Sequence, residues 1–141
     1  MRWFRHERDN RTRDDMRTNY ARARDFEYRV RDDMKKHGFI AVRSPASKTP
    51  TDVYCIGYEV KVFIQCKTNG VLGPKEWNEF WDFCKSVNAI PVLAMKGKNG
   101  RGIEYKLLTG RKVPRHRQPM KDWKPIEGGR IEVQGVTSRR D

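Results

Sequence analysis

Residues 52–67 read DVYCIGYEVKVFIQCK, two short apolar runs separated by Tyr58-Glu59. Runs rich in β-branched and aromatic residues are typical of strands, and a separation of two residues is typical of a hairpin. Pairing about Tyr58-Glu59 brings together residues whose numbers sum to 117, so Asp52 lies opposite Gln65. The stretch therefore predicts an antiparallel hairpin with a defined register.

The predicted hairpin has one polar and one apolar face because side chains alternate along a strand. Asp52, Gln65 and Lys67 share the polar face. The apolar face carries Val53, Cys55, Val62, Ile64 and Cys66. A carboxylate, an amide oxygen and an ammonium at one strand end are suited to Mg²⁺-dependent phosphodiester chemistry, since hard cations take oxygen ligands and a lysine stabilises charge on phosphate.

Two amphipathic helices are predicted on either side of the hairpin in the sequence. Apolar residues at three- and four-residue spacing indicate the first, behind a cap at Thr18 or Asn19 and ahead of Gly38. The second opens at Gly73-Pro74 and carries one stripe of large side chains. Its stripe consists of Trp77, Phe80, Trp81, Cys84 and Val87.

Further short apolar segments predict strands at 39–43, 90–96 and 102–108. The order α-β-β-β-α-β-β describes an α/β protein with a small mixed β-sheet flanked by helices. Composition then divides the chain into three parts. They are a basic charged arm at 1–17, expected as a mobile arm or a solvated helix, a core at 18–110, and a basic extension at 111–141. The extension is expected to be irregular and to contact phosphates, or else to pack on its own domain with Trp123 and Ile126 docked.

Charge and composition indicate a nucleic-acid partner. The 141 residues carry a net charge of +13, and phosphates would compensate the self-repulsion of such a surface. The apolar runs are too short to span a membrane and the first residues are not signal-like, so we expect an intracellular, cytoplasmic protein, of cellular or viral origin. The three cysteines lack zinc-like spacing, and the hairpin register separates Cys55 from Cys66, so unbridged thiols are expected.

Five motifs together resemble the archaeal-type Holliday-junction resolvases, which are PD-(D/E)xK nucleases. They are Glu27, AVRSPASK at 41–48, PTD at 50–52, FIQCK at 63–67 and IPVLAMK at 90–96. The resemblance covers about residues 20–108 and implies a restriction-endonuclease-like fold. It also implies a homodimer that places paired nicks in four-way DNA junctions with Mg²⁺, or with Mn²⁺.

The resemblance also implies roles for individual residues. Asp52 would be the central metal-binding carboxylate, Lys67 the catalytic lysine and Glu27 the acid contributed by the first helix. The catalytic set is then Glu27, Ser47, Asp52, Gln65 and Lys67, and the metal set is Glu27, Asp52, Gln65 and the backbone carbonyl of Cys66. The DNA-binding set is Arg24, Arg43, Ser44, Ser47 and Lys48. The chain departs from the family at Gln65, where Glu is usual, and so loses one negative charge.

Several residues have a second interpretation. Glu27 could pair with Arg31 one turn along the helix, and Glu59 could supply the missing carboxylate, although its turn position points it away. The stripe of Trp77, Phe80 and Trp81 could be core, or it could form a dimer interface together with the final strands.

Function has alternatives as well. A related nuclease could act on other DNA, as restriction or repair enzymes do, but no recognition helix is visible. A junction-binding protein without catalysis would explain Gln65. An RNA-binding module is disfavoured because no aromatic RNA-binding motif is present.

Overall fold

The computed structural model describes residues 2–45 and 49–126, with the backbone alone for 2–17. Two helices, α1 and α2, and six strands, β1 to β6, make up the fold. In chain order they are α1 (Arg2–Lys36), β1 (Ile40–Arg43), β2 (Val53–Gly57), β3 (Val60–Cys66), α2 (Pro74–Ser86), β4 (Ile90–Lys96), β5 (Ile103–Leu108) and β6 (Met120–Trp123). One sheet has the order β1-β2-β3-β4-β5-β6. All neighbours are antiparallel except β3 and β4, which α2 connects as a crossover.

The predicted hairpin register is confirmed. Val53 pairs with Ile64 and Cys55 with Val62, and the backbone N–H of Asp52 donates to the carbonyl of Ile64 over 2.9 Å. Glu59 adopts a φ of 55° in the connecting turn, the left-handed conformation that reverses the chain there. This turn lies at the opposite end of the hairpin from Asp52 and Gln65, so Glu59 does not replace the missing carboxylate.

The helices cover opposite faces of the sheet. Phe26, Val30 and Met34 of α1 pack on the face that carries the apolar side of the hairpin. On the other face, Trp77, Phe80 and Cys84 of α2 pack on Phe63, Leu93 and Leu108. The apolar face of the hairpin is thus confirmed, but its other face is polar only at the end that carries Asp52, Gln65 and Lys67. Further along that face, Tyr54 and Phe63 pack under α2, because a helix covers each face of the sheet. Cys55, Cys66 and Cys84 are all free thiols, as predicted.

Helix α1 is longer than the sequence predicts. It begins at Arg2 and continues through the expected caps Thr18 and Asn19. No glycine or proline interrupts residues 2–36, and the segment is rich in arginine, which has a high helix propensity. The expected cap at Thr18 or Asn19 is therefore wrong, whereas the helical alternative for the arm at 1–17 is borne out for the backbone of residues 2–17. Within the described chain no helix is both long and apolar enough to cross a membrane.

The extension also contains structure that the sequence did not predict. Strand β6 pairs with β5, and Trp123 packs edge-to-face on Tyr105 with ring centroids 5.8 Å apart. The four residues of β6 show no alternation of buried and exposed side chains, so the strand depends on tertiary contacts. The contact of Trp123 agrees with the alternative that the extension packs on its own domain. The expectation of an irregular segment is wrong for residues 120–123.

The dimer interface predicted on α2 is wrong for two of its three residues. Trp77 and Phe80 are fully buried within their own chain, and Nε1 of Trp77 donates to the carbonyl of Gly110 over 2.8 Å. Trp81 is half-buried, with the Lys85 ammonium 4.5 Å from its ring centroid. The large side chains of this stripe are core residues because a crossover helix must cover the sheet.

Candidate active site

A cleft of about 750 Å³ lies at the end of the hairpin where β2 begins and β3 ends. It gathers most of the residues predicted for the site. They are Arg24, Glu27, Arg43, Ser44, Asp52, Gln65, Cys66 and Lys67. Ser47 and Lys48 lie outside the described residues.

Asp52 stands directly before β2, and its carboxylate is fixed by the neighbouring strand. Its Oδ2 atom accepts a hydrogen bond from the backbone N–H of Cys66 over 2.8 Å. The pKa of Asp52 is raised to about 6, chiefly by burial and to a smaller extent by the negative charges of Glu27 and Glu76. The Cys66 N–H and the Lys67 ammonium oppose this rise in pKa. A carboxylate that is costly to ionise in the free protein favours a bound cation.

Two buried polar side chains line the cleft beside Asp52. Gln65 is 6% exposed and Thr51 is 2% exposed. The Thr51 hydroxyl has no hydrogen-bond partner in the described part of the chain. Buried polar groups are nearly always hydrogen-bonded, so unsatisfied groups lining a cleft indicate a ligand or solvent site.

Lys67 directly follows β3, and a backbone hydrogen bond to β4 fixes its position. Its N–H donates to the carbonyl of Ala94 over 3.0 Å, which continues the parallel pairing with β4. Its ammonium lies 3.5 Å from the carboxylate of Glu76, a residue in the first turn of α2 that also lines the cleft. Sequence reasoning missed Glu76. The available signal was a glutamate in the first turn of the helix that directly follows β3.

Glu27 reaches the cleft from α1 and is bound by Arg43 of β1. Arg43 Nε donates to Glu27 Oε1 over 2.7 Å, and this hydrogen bond raises the pKa of the guanidinium. The Arg43 guanidinium also lies 4.9 Å from the ring centroid of Tyr28. Arg31 instead pairs with Asp32, so the alternative pairing of Glu27 with Arg31 is wrong.

One exposed cation stands at the rim of the cleft. Arg24 is exposed on α1, with its guanidinium 5.7 Å from the ring centroid of Tyr20, itself 72% exposed. The arrangement puts a charge and a flat aromatic surface beside the buried polar groups. Such a pair suits a phosphate and a nucleobase respectively.

The donor atoms of the cleft fit an oxygen-ligated divalent cation. They are the carboxylate of Asp52, the amide oxygen of Gln65 and the backbone carbonyl of Cys66, all of a type that Mg²⁺ and Mn²⁺ accept. No group of three or more His, Cys, Asp or Glu residues forms a metal cluster among the residues the structure describes. The set therefore depends on neutral oxygens more than a conventional carboxylate site does.

Comparison of the structure with solved structures identifies the class of fold. The chain superimposes on a Holliday junction resolvase, Hjc, of the archaeal hyperthermophile Archaeoglobus fulgidus, with a TM-score of 0.52 and 18% identity. The match covers 60% of this chain and 70% of that chain. No protein-family model and no curated protein matches the sequence. The predicted α/β class, a mixed sheet flanked by helices, is confirmed, and the fold is similar to that of this resolvase.

Proposed function

We propose that this protein is a divalent-metal-dependent endonuclease that cuts four-way DNA junctions by paired nicks. One observation carries the proposal. Asp52, Gln65 and Lys67 converge at one strand end in a cleft that α1 and α2 border, within a fold shared with a Holliday junction resolvase. A carboxylate, a neutral oxygen and an ammonium in one polar cleft are the groups that phosphodiester hydrolysis requires.

Each group has a distinct task in this proposal. Asp52, Gln65 and the Cys66 carbonyl would hold Mg²⁺, or Mn²⁺, which supplies Lewis-acid activation of the phosphate and lowers the pKa of a bound water. The Lys67 ammonium stabilises negative charge that develops on the phosphate oxygens. Glu27 and Arg43 fix α1 against β1, and so maintain the wall of the cleft from which Arg24 projects.

The positive charge of the chain and the symmetry of a four-way junction support this substrate. The chain has a net charge of +13, and exposed Arg24 stands beside the cleft, so the phosphate backbone of DNA is the expected partner. A four-way junction offers two equivalent cutting points, and a two-fold homodimer would offer two matching sites. The implied place of action is the DNA-containing compartment of the cell, whether the chain is encoded by that cell or by a virus.

A second candidate is a junction-binding protein without catalysis. It is favoured by Gln65, which leaves the cleft without the second carboxylate that the resolvase pattern has on this strand. Such a protein would bind branched DNA equally well with and without a divalent cation.

One assay distinguishes the nuclease from the junction-binding protein. Purified protein is incubated with an end-labelled four-way junction, the matching duplex and the single strands, each with Mg²⁺ and each with a chelator. The proposal expects paired nicks in the junction that need Mg²⁺, with little cutting of the other DNAs. Tight junction binding without nicks in either Mg²⁺ or Mn²⁺ would overturn it in favour of the second candidate.

A further inference from the structure

We infer that Glu76 of α2 supplies the second negative charge for the divalent cation, in place of the glutamate that the resolvase pattern has at position 65. The inference rests on the proposed function and deepens it, because it assigns a ligand-binding role to a residue on a different element. Glu76 lines the same cleft as Asp52 and Gln65.

The position of Glu76 supports this role. Its carboxylate lies 3.5 Å from the Lys67 ammonium, and its charge opposes ionisation of Asp52. Its side chain is 54% exposed, so it can change rotamer without disturbing the core. The residue therefore acts on both charged groups of the hairpin, although it comes from the crossover helix.

Charge balance explains why another carboxylate is needed. Glu27 is engaged by Arg43 at 2.7 Å, so that pair adds almost no net charge to the cleft. Lys67 is then the one cation that faces two carboxylates, those of Asp52 and Glu76, among the charged residues that line the cleft on the hairpin and α2. A hard divalent cation in such surroundings would meet little net negative charge unless Glu76 contributes one.

An independent observation indicates that a ligand belongs here. The Thr51 hydroxyl is 2% exposed and has no hydrogen-bond partner in the described chain. It lines the cleft that Asp52, Gln65 and Glu76 also line. A buried hydroxyl without a partner in a cleft that carries carboxylates indicates a place for a hydrated cation or another polar ligand.

A purely structural role for Glu76 must be separated from this one. Glutamate in the first turn of a helix interacts favourably with the helix dipole, and Glu76 also pairs with Lys67. Either effect would lower stability on substitution without changing metal affinity. The readout therefore has to be metal binding by the folded protein in the absence of DNA.

The experiment measures Mn²⁺ binding to the full chain by electron paramagnetic resonance and by calorimetry, with folding checked by thermal unfolding. Glu76→Gln is expected to weaken Mn²⁺ binding about tenfold, which corresponds to about 1.4 kcal/mol. Glu76→Asp keeps the charge and should stay closer to wild type. Glu104→Gln, the same exchange on β5 in a different cleft, is the matched control and should leave the affinity unchanged.

The decisive variant combines Gln65→Glu with Glu76→Gln. Because the charge is moved back to β3, this double variant should recover most of the lost Mn²⁺ affinity. The inference is overturned if wild type binds no Mn²⁺, if Glu76→Gln binds as tightly as wild type, or if a folded double variant does not recover. Mn²⁺ binding that follows these expectations in a protein that never cuts a junction would uphold the inference and contradict the proposed nuclease.

Discussion

The backbone N–H of Cys66 donates to the carboxylate of Asp52 over 2.8 Å, although fourteen residues separate them in the chain. The acid is thus oriented by the strand that carries Gln65 and Lys67. Since one hairpin fixes all three groups relative to each other, a change at Asp52 alters chemistry without requiring a change in fold.

Asp52→Asn is expected to abolish junction cleavage while junction binding stays intact or becomes tighter. The amide can still accept the Cys66 hydrogen bond, but it removes both the affinity for the cation and the repulsion toward phosphate. Gel-shift titration in chelator and a nicking assay in Mg²⁺ measure the two properties. Near wild-type cleavage by this variant would remove Asp52 from the proposed centre.

The same substitution should stabilise the metal-free protein in a pH-dependent way. Burial raises the pKa of Asp52 to about 6, so the folded protein retains this proton more strongly than the unfolded chain, and stability falls as the pH rises from about 4 to above 6. A rise of about two pH units corresponds to at most about 3 kcal/mol. Urea unfolding in chelator should show a growing advantage of Asp52→Asn across this window and a constant one above it. A difference that does not change with pH would contradict the assignment.

Gln65→Glu is expected to remain active and to reach saturation at a lower Mg²⁺ concentration. The added charge favours a hard cation, and the side chain keeps an oxygen in the same place. Cleavage rates across a Mg²⁺ series test this, with Gln118→Glu as the matched exchange outside the cleft. A folded but inactive Gln65→Glu would show that the site requires the neutral amide.

Two truncations should separate the structural and DNA-binding parts of the extension. Removal of 111–141 deletes β6 and the Trp123 contact with Tyr105, so the melting temperature should fall by several degrees. Removal of 127–141 alone, a segment with three basic and three acidic residues, leaves the net charge unchanged and retains β6, so it should lower the melting temperature less than the longer truncation.

The net positive charge of the extension lies in 112–126, which has five basic residues against one acidic residue. Replacing exposed Arg115 and Arg117 by serine should make the slope of log K against log salt shallower by about one or more, since each neutralised phosphate contributes about 0.9 on duplex DNA. An unchanged slope in a folded variant would mean that this segment does not contact phosphates.

The protein is expected to be a dimer at micromolar concentration in moderate salt, because two coordinated nicks need two sites. Multi-angle light scattering measures this directly. Since Trp77 and Phe80 are buried within the chain, Trp81→Ala is the informative variant of the stripe, and it should reveal whether that half-buried ring contributes to assembly. A monomer under these conditions would contradict the prediction.

The parts of the molecule that local pattern determines could be predicted. The register of β2 and β3 followed from the alternation of side chains about one turn, and it correctly put Asp52 beside Gln65 and separated the cysteines. The start of α2 followed from a proline at its first position. In each case neighbours in sequence are also neighbours in space.

The parts of the molecule that depend on packing between distant elements could not be predicted from the sequence. The burial of Trp77 and Phe80 depends on where the crossover helix lies, and β6 exists because β5 has an open edge that Trp123 can cover. Glu76 reaches Lys67 only because α2 begins beside the end of β3. An amphipathic pattern specifies that a face is buried, but not against which partner.

The hydrogen bond from the Lys67 N–H to the Ala94 carbonyl can form only when β4 lies beside β3. Parallel strands cannot pair until the connection between them has folded, and here that connection contains α2. A nascent or partly unfolded chain can form the local hairpin. The backbone N–H of Lys67 lacks its β4 partner, however, until α2 has folded and β4 has paired with β3. The order of assembly thus makes the completed sheet a condition for the whole candidate site, because the hairpin and α2 border one cleft only when β3 and β4 have paired.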